Sequence, residues 1–329
     1  MKILQFQQQG RRTHQEDFLL LNGAAGLFLV CDGVGGSAKG EVASSLVAHT
    51  IAGQVEKAGQ ATTDVSAVHQ FVKEAQYALQ TRLADHPEEA GMGTTLAMLR
   101  IQDGKAVVAH VGDSRVYYVK PGKGLYWRTN DHSHVQMLFD TGVLKSEEEM
   151  DRHPMRNIIS RALQAKADET MVEPDVAVVQ NLQPGDLFLL CSDGVLEPYP
   201  PTDFIALLGK KDLKPEEKKA ALEAACAAES RDNNTCILLE IGAEDVAQNA
   251  GENTGLTMRA IPSMLALNDE EHALGAPEEV SRPSASAASE TPDAKEPHTR
   301  GKNKPLLNRT QLLLLAGILL MIVVLAVIY

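Results

Sequence analysis

Acidic residues at the ends of apolar runs are the feature of this sequence most able to do chemistry. Asp32 opens Asp32-Gly33-Val34-Gly35-Gly36 directly after the run Leu27–Cys31, and Asp193 lies in Cys191-Ser192-Asp193-Gly194 after Leu187–Cys191. Asp113 sits in Gly112-Asp113-Ser114-Arg115, Asp232 precedes Asn233-Asn234-Thr235, and Glu16-Asp17 follow Arg11-Arg12. Taken singly, Asp-Gly is the ordinary signature of a turn. Asp103-Gly104 is read that way, as the connection between two apolar runs. The same placement at five sites asks for more. Carboxylates that converge in one fold repel one another unless cations or protons offset the charge. Oxygen donors without Cys or His select hard ions, Mg²⁺ or Mn²⁺. Two such ions about 4 Å apart hold a hydroxide between them and clamp a phosphoryl group.

Other chemistries are poorly served. The four cysteines, Cys31, Cys191, Cys226 and Cys236, form no CxxC pair and sit in or beside apolar runs, which reads as small hydrophobes in a reducing compartment rather than a zinc site. Gly35-Gly36 lacks the Lys-Ser/Thr that completes a P-loop, so these glycines read as room for backbone to approach a metal. His110 falls inside an apolar strand and reads as a packed residue. A net charge of −13 argues against nucleic-acid binding, which needs clustered Lys and Arg.

The elements that must position these residues read as a mixed α and β domain over 1–242. Short apolar runs predict strands at 27–31, 96–101, 106–111, 187–191 and 235–241, with 115–119 continuing the sheet. Asp103-Gly104 predicts a hairpin between the second and third of these. Helical spacing of apolar residues predicts helices at 41–57, 65–83 and 215–228, the last with Pro215 at its first turn. Strands and helices do not alternate strictly, so an antiparallel sheet system covered by helices fits better than a doubly wound parallel sheet.

In order and spacing these motifs resemble the type 2C family of metal-dependent protein phosphatases, in its bacterial form. The resemblance runs from Gly10-Arg11-Arg12 through Glu16-Asp17, Val30-Cys31-Asp32-Gly33-Val34-Gly35-Gly36, Gly40-Glu41-Val42-Ala43-Ser44 and Gly93-Thr94-Thr95 to Val111-Gly112-Asp113-Ser114-Arg115. It continues with Thr129-Asn130-Asp131-His132-Ser133, Cys191-Ser192-Asp193-Gly194 and Asp232-Asn233-Asn234-Thr235. It implies an α+β fold, a central β-sandwich of two antiparallel sheets flanked by helices, with the metals at one end. Carried over by position, Asp32 bridges two ions and the Gly33 carbonyl ligates one. Asp193 and Asp232 complete the other shell, and Glu16 and Asp17 contribute to the metal surroundings directly, through water or from behind the ligands. Asp113, with Asp193 and Glu197, matches a third, weaker site; relatives often carry Asp where this chain has Glu197. Arg12 matches the arginine that grips the substrate phosphate. Where some members carry a proton-donating His after Asp-Gly, this chain has Val34. The implied activity is hydrolysis of phosphoserine and phosphothreonine in proteins phosphorylated by a Ser/Thr kinase. The competing reading is a catalytically silent or single-partner phosphoprotein-binding module.

Beyond the domain, 243–304 reads as a linker, largely disordered, since 269–304 is rich in Glu, Ser, Ala and Pro and lacks periodicity. Met258–Leu267 is a short apolar island within it. Residues 305–329 read as a transmembrane anchor: Leu312–Ile328 is an uncharged apolar run ending at Tyr329 and preceded by Arg300, Lys302, Lys304 and Arg309. With no apolar signal segment in Met1–Arg12, this predicts a single-pass inner-membrane protein whose catalytic domain faces the cytoplasm, with the lipid bilayer as a partner.

Overall fold

A computed structural model describes residues 1–35, 39–59, 63–164, 171–247 and 251–262. The strands are β1 (Lys2–Gln8), β2 (Phe18–Asn22), β3 (Leu27–Cys31), β4 (Gly33–Val34), β5 (Gly93–Thr94), β6 (Leu96–Gln102), β7 (Lys105–Val111), β8 (Arg115–Lys120), β9 (Leu125–Arg128), β10 (Leu163–Gln164), β11 (Asp175–Val179), β12 (Leu187–Cys191), β13 (Asn234–Glu240) and β14 (Arg259–Ala260). The helices are α1 (Gly40–Ala58), α2 (Val65–Asp85), α3 (His134–Asp140), α4 (Glu147–Asp151), α5 (Pro201–Gly209) and α6 (Pro215–Glu229).

The apolar runs are strands buried on both faces. In β3, Leu27, Leu29 and Cys31 face a core shared with α1 and α2, while Phe28 and Val30 face a second core between the two large sheets. In β12, Phe188 and Leu190 join that same inter-sheet core, and Leu187, Leu189 and Cys191 turn outward onto α5 and α6. A period of two with apolar residues on both sides gives an unbroken hydrophobic run. The result is four layers, helices–sheet–sheet–helices. One sheet has the order β1-β13-β12-β8-β9-β14 and the other β11-β7-β6-β3-β2, with antiparallel pairing throughout. Three short strands, β10-β5-β4, form a separate patch beside Asp32. The hairpin at Asp103-Gly104 has positive φ at both residues (51° and 71°), as a type I′ turn requires.

The expected strands and helices appear within one to two residues of the predicted bounds. The N-terminal segment, read only as polar, forms edge strand β1, which pairs with β13 along its whole length. Its inward-facing Phe6 is buried, but its other side chains are mostly exposed, so the apolar signal is faint. Folded structure also runs past the boundary expected at 242, at least to Ile261. Val246, Leu256 and Met258 pack against the inter-sheet core, β14 pairs with β9, and Ile261 is fully buried beside Gly209. The apolar island at Met258 therefore caps the sandwich, at least as far as Ile261. The remainder of the expected linker and the whole of the expected anchor, 263–329, lie outside the described residues. Among the described residues, no helix is long and apolar enough to cross a membrane.

Candidate active site

The site forms where strands from both sheets end at the same edge of the sandwich. β3 delivers Asp32, whose N–H donates to Thr95 Oγ1 (2.9 Å) and whose carbonyl accepts from Thr95 N (2.8 Å) and Thr94 Oγ1 (2.9 Å). Gly33 follows in β4, packed so closely on Gly40 that a Cβ would lie 2.4 Å from the Gly40 carbonyl carbon. Only glycine fits there. β12 delivers Asp193 at the start of a single 3₁₀ turn, and the approach to β13 delivers Asp232. Asp113 sits in the turn between β7 and β8, after Gly112 at φ 95°.

Glu16, Asp32, Gly33, Asp113, Asp193 and Asp232 line one open cavity of about 390 Å³, together with Arg12, His14 and Val34. The carboxylates come from five separate chain segments. Burial, reinforced by Asp17, Asp193, Asp113 and Asp232, holds the Asp32 carboxyl well above the usual carboxylate range. Burial and then Asp113 and Asp232 do the same to Asp193. Asp113 is pushed up to about 6 by burial and by Asp131. Glu16 is raised by burial and by Glu41.

Arg12 reaches across the cavity mouth and donates to Asp232 Oδ2 at 2.5 Å, its side chain 58% exposed. Asp17 does not line the cavity. It is buried behind it and accepts from Ser192 Oγ at 2.7 Å, and burial pushes it up to about 6. A smaller adjoining cavity of about 130 Å³ is lined by Asp113, Asp193, Asp232 and Glu197. Glu197 is only partly free there, since its Oε2 accepts from Arg231 N (2.6 Å) and Ser230 Oγ (3.2 Å) and so ties down the loop that carries Asp232.

Three residues at the site are assigned no catalytic or metal role by the sequence, although Asn233 lies in the Asp232–Thr235 motif and Arg156-Asn157 resembles a segment near the family's mobile flap and reads as local packing. Asn233 staples the N-terminal loop to the β13 approach. Its Nδ2 donates to Gln9 O (2.8 Å) and His14 O (3.0 Å), and its Oδ1 accepts from Glu16 N (2.8 Å). Asn157 and Ile159 line the cavity from the segment between α4 and β10. An isolated Asn or Ile gives no sequence signal, because only the closed fold brings these segments within reach of Asp32. His132 and Ser133 are structural in the described fold. Ser133 Oγ caps α3 through Gln136 N, and His132 stacks on the buried His110 ring at 4.5 Å.

The residues present fit divalent cations. Asp193 Oδ1 and Asp17 Oδ1 are buried without a hydrogen-bond donor, and the carboxylate crowding raises pKa values that a cation would bring down. The donors are all oxygens, the set that suits Mg²⁺ or Mn²⁺.

The family model for protein phosphatase 2C matches residues 9–249. The chain belongs to the protein phosphatase 2C family. It is 32% identical over 218 residues to the serine/threonine phosphatase stp of Listeria monocytogenes, covering 65% of this chain and 84% of that one. It is 31% identical over 239 residues to the serine/threonine protein phosphatase PstP of Mycobacterium tuberculosis, covering 72% of this chain but 44% of that protein. The crystal structure of the M. tuberculosis PstP superposes with a TM-score of 0.64 at 28% identity, over 73% of this chain and 98% of that one. A second structure, the PstP catalytic domain in complex with two manganese ions, gives 0.62 at 27%, over 73% and 98%. The fold and the family make this 2C chain a protein phosphatase, and its sandwich of antiparallel sheets flanked by helices is that of the family.

Proposed function

We propose that this 2C phosphatase hydrolyses phosphoserine and phosphothreonine in proteins with two Mn²⁺ or Mg²⁺ ions held by Asp32, the Gly33 carbonyl, Asp193 and Asp232. Glu16 lies beside them, and Asp113 stands at the edge shared with the smaller cavity, the position for a weaker third ion with Asp193 and Glu197. The observation that carries this reading is the convergence of five carboxylates from separate segments on one open cavity. When bound, the ions supply Lewis-acid charge and activate water for in-line attack on phosphorus.

The chain's own residues do the rest. Arg12 is exposed at the mouth, where among the described residues its guanidinium is held by Asp232, so it would be placed to turn onto phosphoryl oxygens if Asp232 served a bound ion. Asp17 and Ser192 fix the back of the site, and Thr94 and Thr95 fix the Asp32 backbone. The cavity is open, which suits a phosphorylated side chain presented by a protein. The test is Mn²⁺-dependent release of phosphate from phosphothreonine, phosphoserine and phosphotyrosine peptides by the full-length chain. Turnover of the first two that EDTA abolishes is the expected result. Metal-independent turnover, or a preference for phosphotyrosine, overturns the reading.

The tether is a separate part of the proposal. Leu312–Ile328, the basic residues before it and Tyr329 support a membrane anchor with the catalytic domain on the cytoplasmic face. Substrates would then be phosphoproteins near that surface. Full-length protein should pellet with membranes and resist carbonate extraction, and deletion of 305–329 should release it. Full-length protein that stays in the soluble fraction excludes the anchor.

A further inference from the structure

The strands that end at the acidic cavity begin, or end, at a basic one. β8 runs from Arg115 to Lys120, β12 from Leu187 to Cys191 and β13 from Asn234 to Glu240, and Lys120, Leu187 and Glu240 line a second cavity of about 340 Å³. It is separated from Asp193 by the length of β12, about 20 Å at strand rise. Five lysines line it: Lys120, Lys123, Lys210, Lys211 and Lys218. Only two carboxylates do so, Asp186 and Glu240. In a chain of net charge −13 this is a local reversal of sign.

Among the described residues, the lysines are not matched by carboxylate partners. Lys120 is the exception, donating to Asp186 Oδ2 at 2.7 Å and to Asn181 O. Among the described residues, no carboxylate lies within ion-pair distance of Lys123, Lys210, Lys211 or Lys218. Lys218 is the informative one. Its side chain is 2% exposed, and its ammonium donates to the Leu208 carbonyl. Burial pulls it down to about 8, against the weaker opposing pull of Asp212 and Glu240, so at neutral pH it remains a buried cation without a paired anion. A buried ammonium of that kind is costly unless a counter-charge completes it. The first turn of α6 begins at Pro215 in the same wall, with the positive end of the helix there.

We infer that this cavity binds a small, multiply charged phosphate-bearing anion. The excess of lysines over carboxylates calls for more than one negative charge. Compact ammonium groups on flexible stems suit a tetrahedral phosphate, whereas planar carboxylate recognition favours arginine, and no arginine lines the cavity. No aromatic residue lines it either, so nothing there stacks on a base, and the site reads the phosphate and not a nucleoside. The volume lies at the small end of ligand pockets. The phosphate group has two possible sources, a free polyphosphate or a lipid headgroup.

The experiment is calorimetric titration of the full-length chain carrying Arg12→Ala, in EDTA so that the acidic cavity contributes no phosphate binding. The probes are pyrophosphate, ADP and sn-glycerol 3-phosphate, the phosphomonoester headgroup of phosphatidic acid, which carries more than one negative charge. Pyrophosphate or the headgroup should bind, with ADP no tighter than pyrophosphate. The Lys210→Glu/Lys211→Glu pair, both exposed, should weaken binding about tenfold or more. In the Arg12-intact chain the same pair should leave Mn²⁺-dependent p-nitrophenyl phosphate turnover unchanged. Lys218→Met should weaken binding likewise, and the exposed pair keeps the test decisive if that variant does not fold. Binding of the headgroup alone assigns the source to lipid, and binding of pyrophosphate alone assigns it to a free anion. Absence of binding by both, or binding that the lysine substitutions leave unchanged, overturns the inference.

Discussion

Asp32 and Asp193 illustrate a site that opposes its own fold. In the metal-free protein the folded pKa of each carboxyl lies above its unfolded value, about 3.9. The folded state therefore keeps protons that the unfolded chain has released. The stability this confers is full below about pH 4 and is lost as pH rises through the folded values, which are about 6 for Asp17 and Asp113 and well above the ordinary carboxylate range for Asp32 and Asp193. Asp193→Asn should raise the Tm of EDTA-treated protein at neutral pH, by about 2–4 °C for each 1 kcal/mol recovered. It should also remove both the Mn²⁺-induced rise in Tm and turnover. A lower Tm in EDTA would show that Asp193 is not under electrostatic load. Arg12→Ala makes a different prediction. It should leave the Mn²⁺-induced rise in Tm intact and cost about 2 kcal/mol of transition-state stabilisation, the scale of charge-assisted bonds to phosphoryl oxygens. Measured kcat/KM should fall roughly 30-fold at that cost; a loss of metal response instead would make Arg12 a support for Asp232.

At the scale of elements, the site depends on how loops are stitched to strand ends. Gly10 packs on Asp232, and Arg11 N donates to Arg231 O at 3.0 Å, so the loop carrying Arg12 and Glu16 is laid against the entrance to β13. Asn233 makes the connection specific, with three hydrogen bonds from a side chain 4% exposed. Asn233→Ala leaves Gln9 O, His14 O and Glu16 N without this partner. The expected cost is about 2–3 kcal/mol, read as a lower urea midpoint at unchanged m-value, together with a raised KM as Arg12 loses its fixed base. Unchanged stability would mean that water replaces the staple without loss. The pairing of β4 with β5 serves Asp32 in the same way, and the Gly33–Gly40 contact leaves no room for a side chain.

At the scale of the molecule, the described domain is a sandwich whose last described segment closes it. Ile261 is fully buried in the core under α5, and its N–H donates to Gly124 O at 2.9 Å. Residues 1–262 should therefore be more stable than 1–242. Ile261→Ala should cost about 2–4 kcal/mol, as other large-to-small changes in a core do. Denaturant unfolding of the two truncations and of the variant measures this, and equal midpoints would show that residues 243–262 add nothing to the domain. Pairing of β1 with β13 joins the first and last long strands, so the catalytic end is complete only when both termini of the domain are in place. Contacts of such sequence separation predict slow folding for the chain's size.

Most of the elements, and the residues that gather at the acidic cavity, were legible in the sequence alone. Apolar runs ending in Asp mark strands that hand a carboxylate to solvent, and both signals are local, so β3, β7 and β12 and the residues Asp32, Asp113 and Asp193 could be read without coordinates. Asp103-Gly104 could be read as a hairpin for the same reason, since its positive φ angles are a property of two residues. Distances came only from the folded arrangement. Asp17 is set behind the cavity and not on it. Glu197 spends one oxygen on the Arg231 backbone. Asn157 and Ile159 reach the site from a segment that reads as local packing in the sequence. Folded structure runs past 242 at least to Ile261, because Ile261 packs into a hole left by Gly209, a match between residues far apart in sequence that no local pattern records. The basic cavity belongs to the same class. Its lysines come from a strand end, two turns and a helix that carry no signal one by one, and only the folding of β8, β12 and β13 side by side gathers their charge at one end of the sheet and the carboxylates at the other.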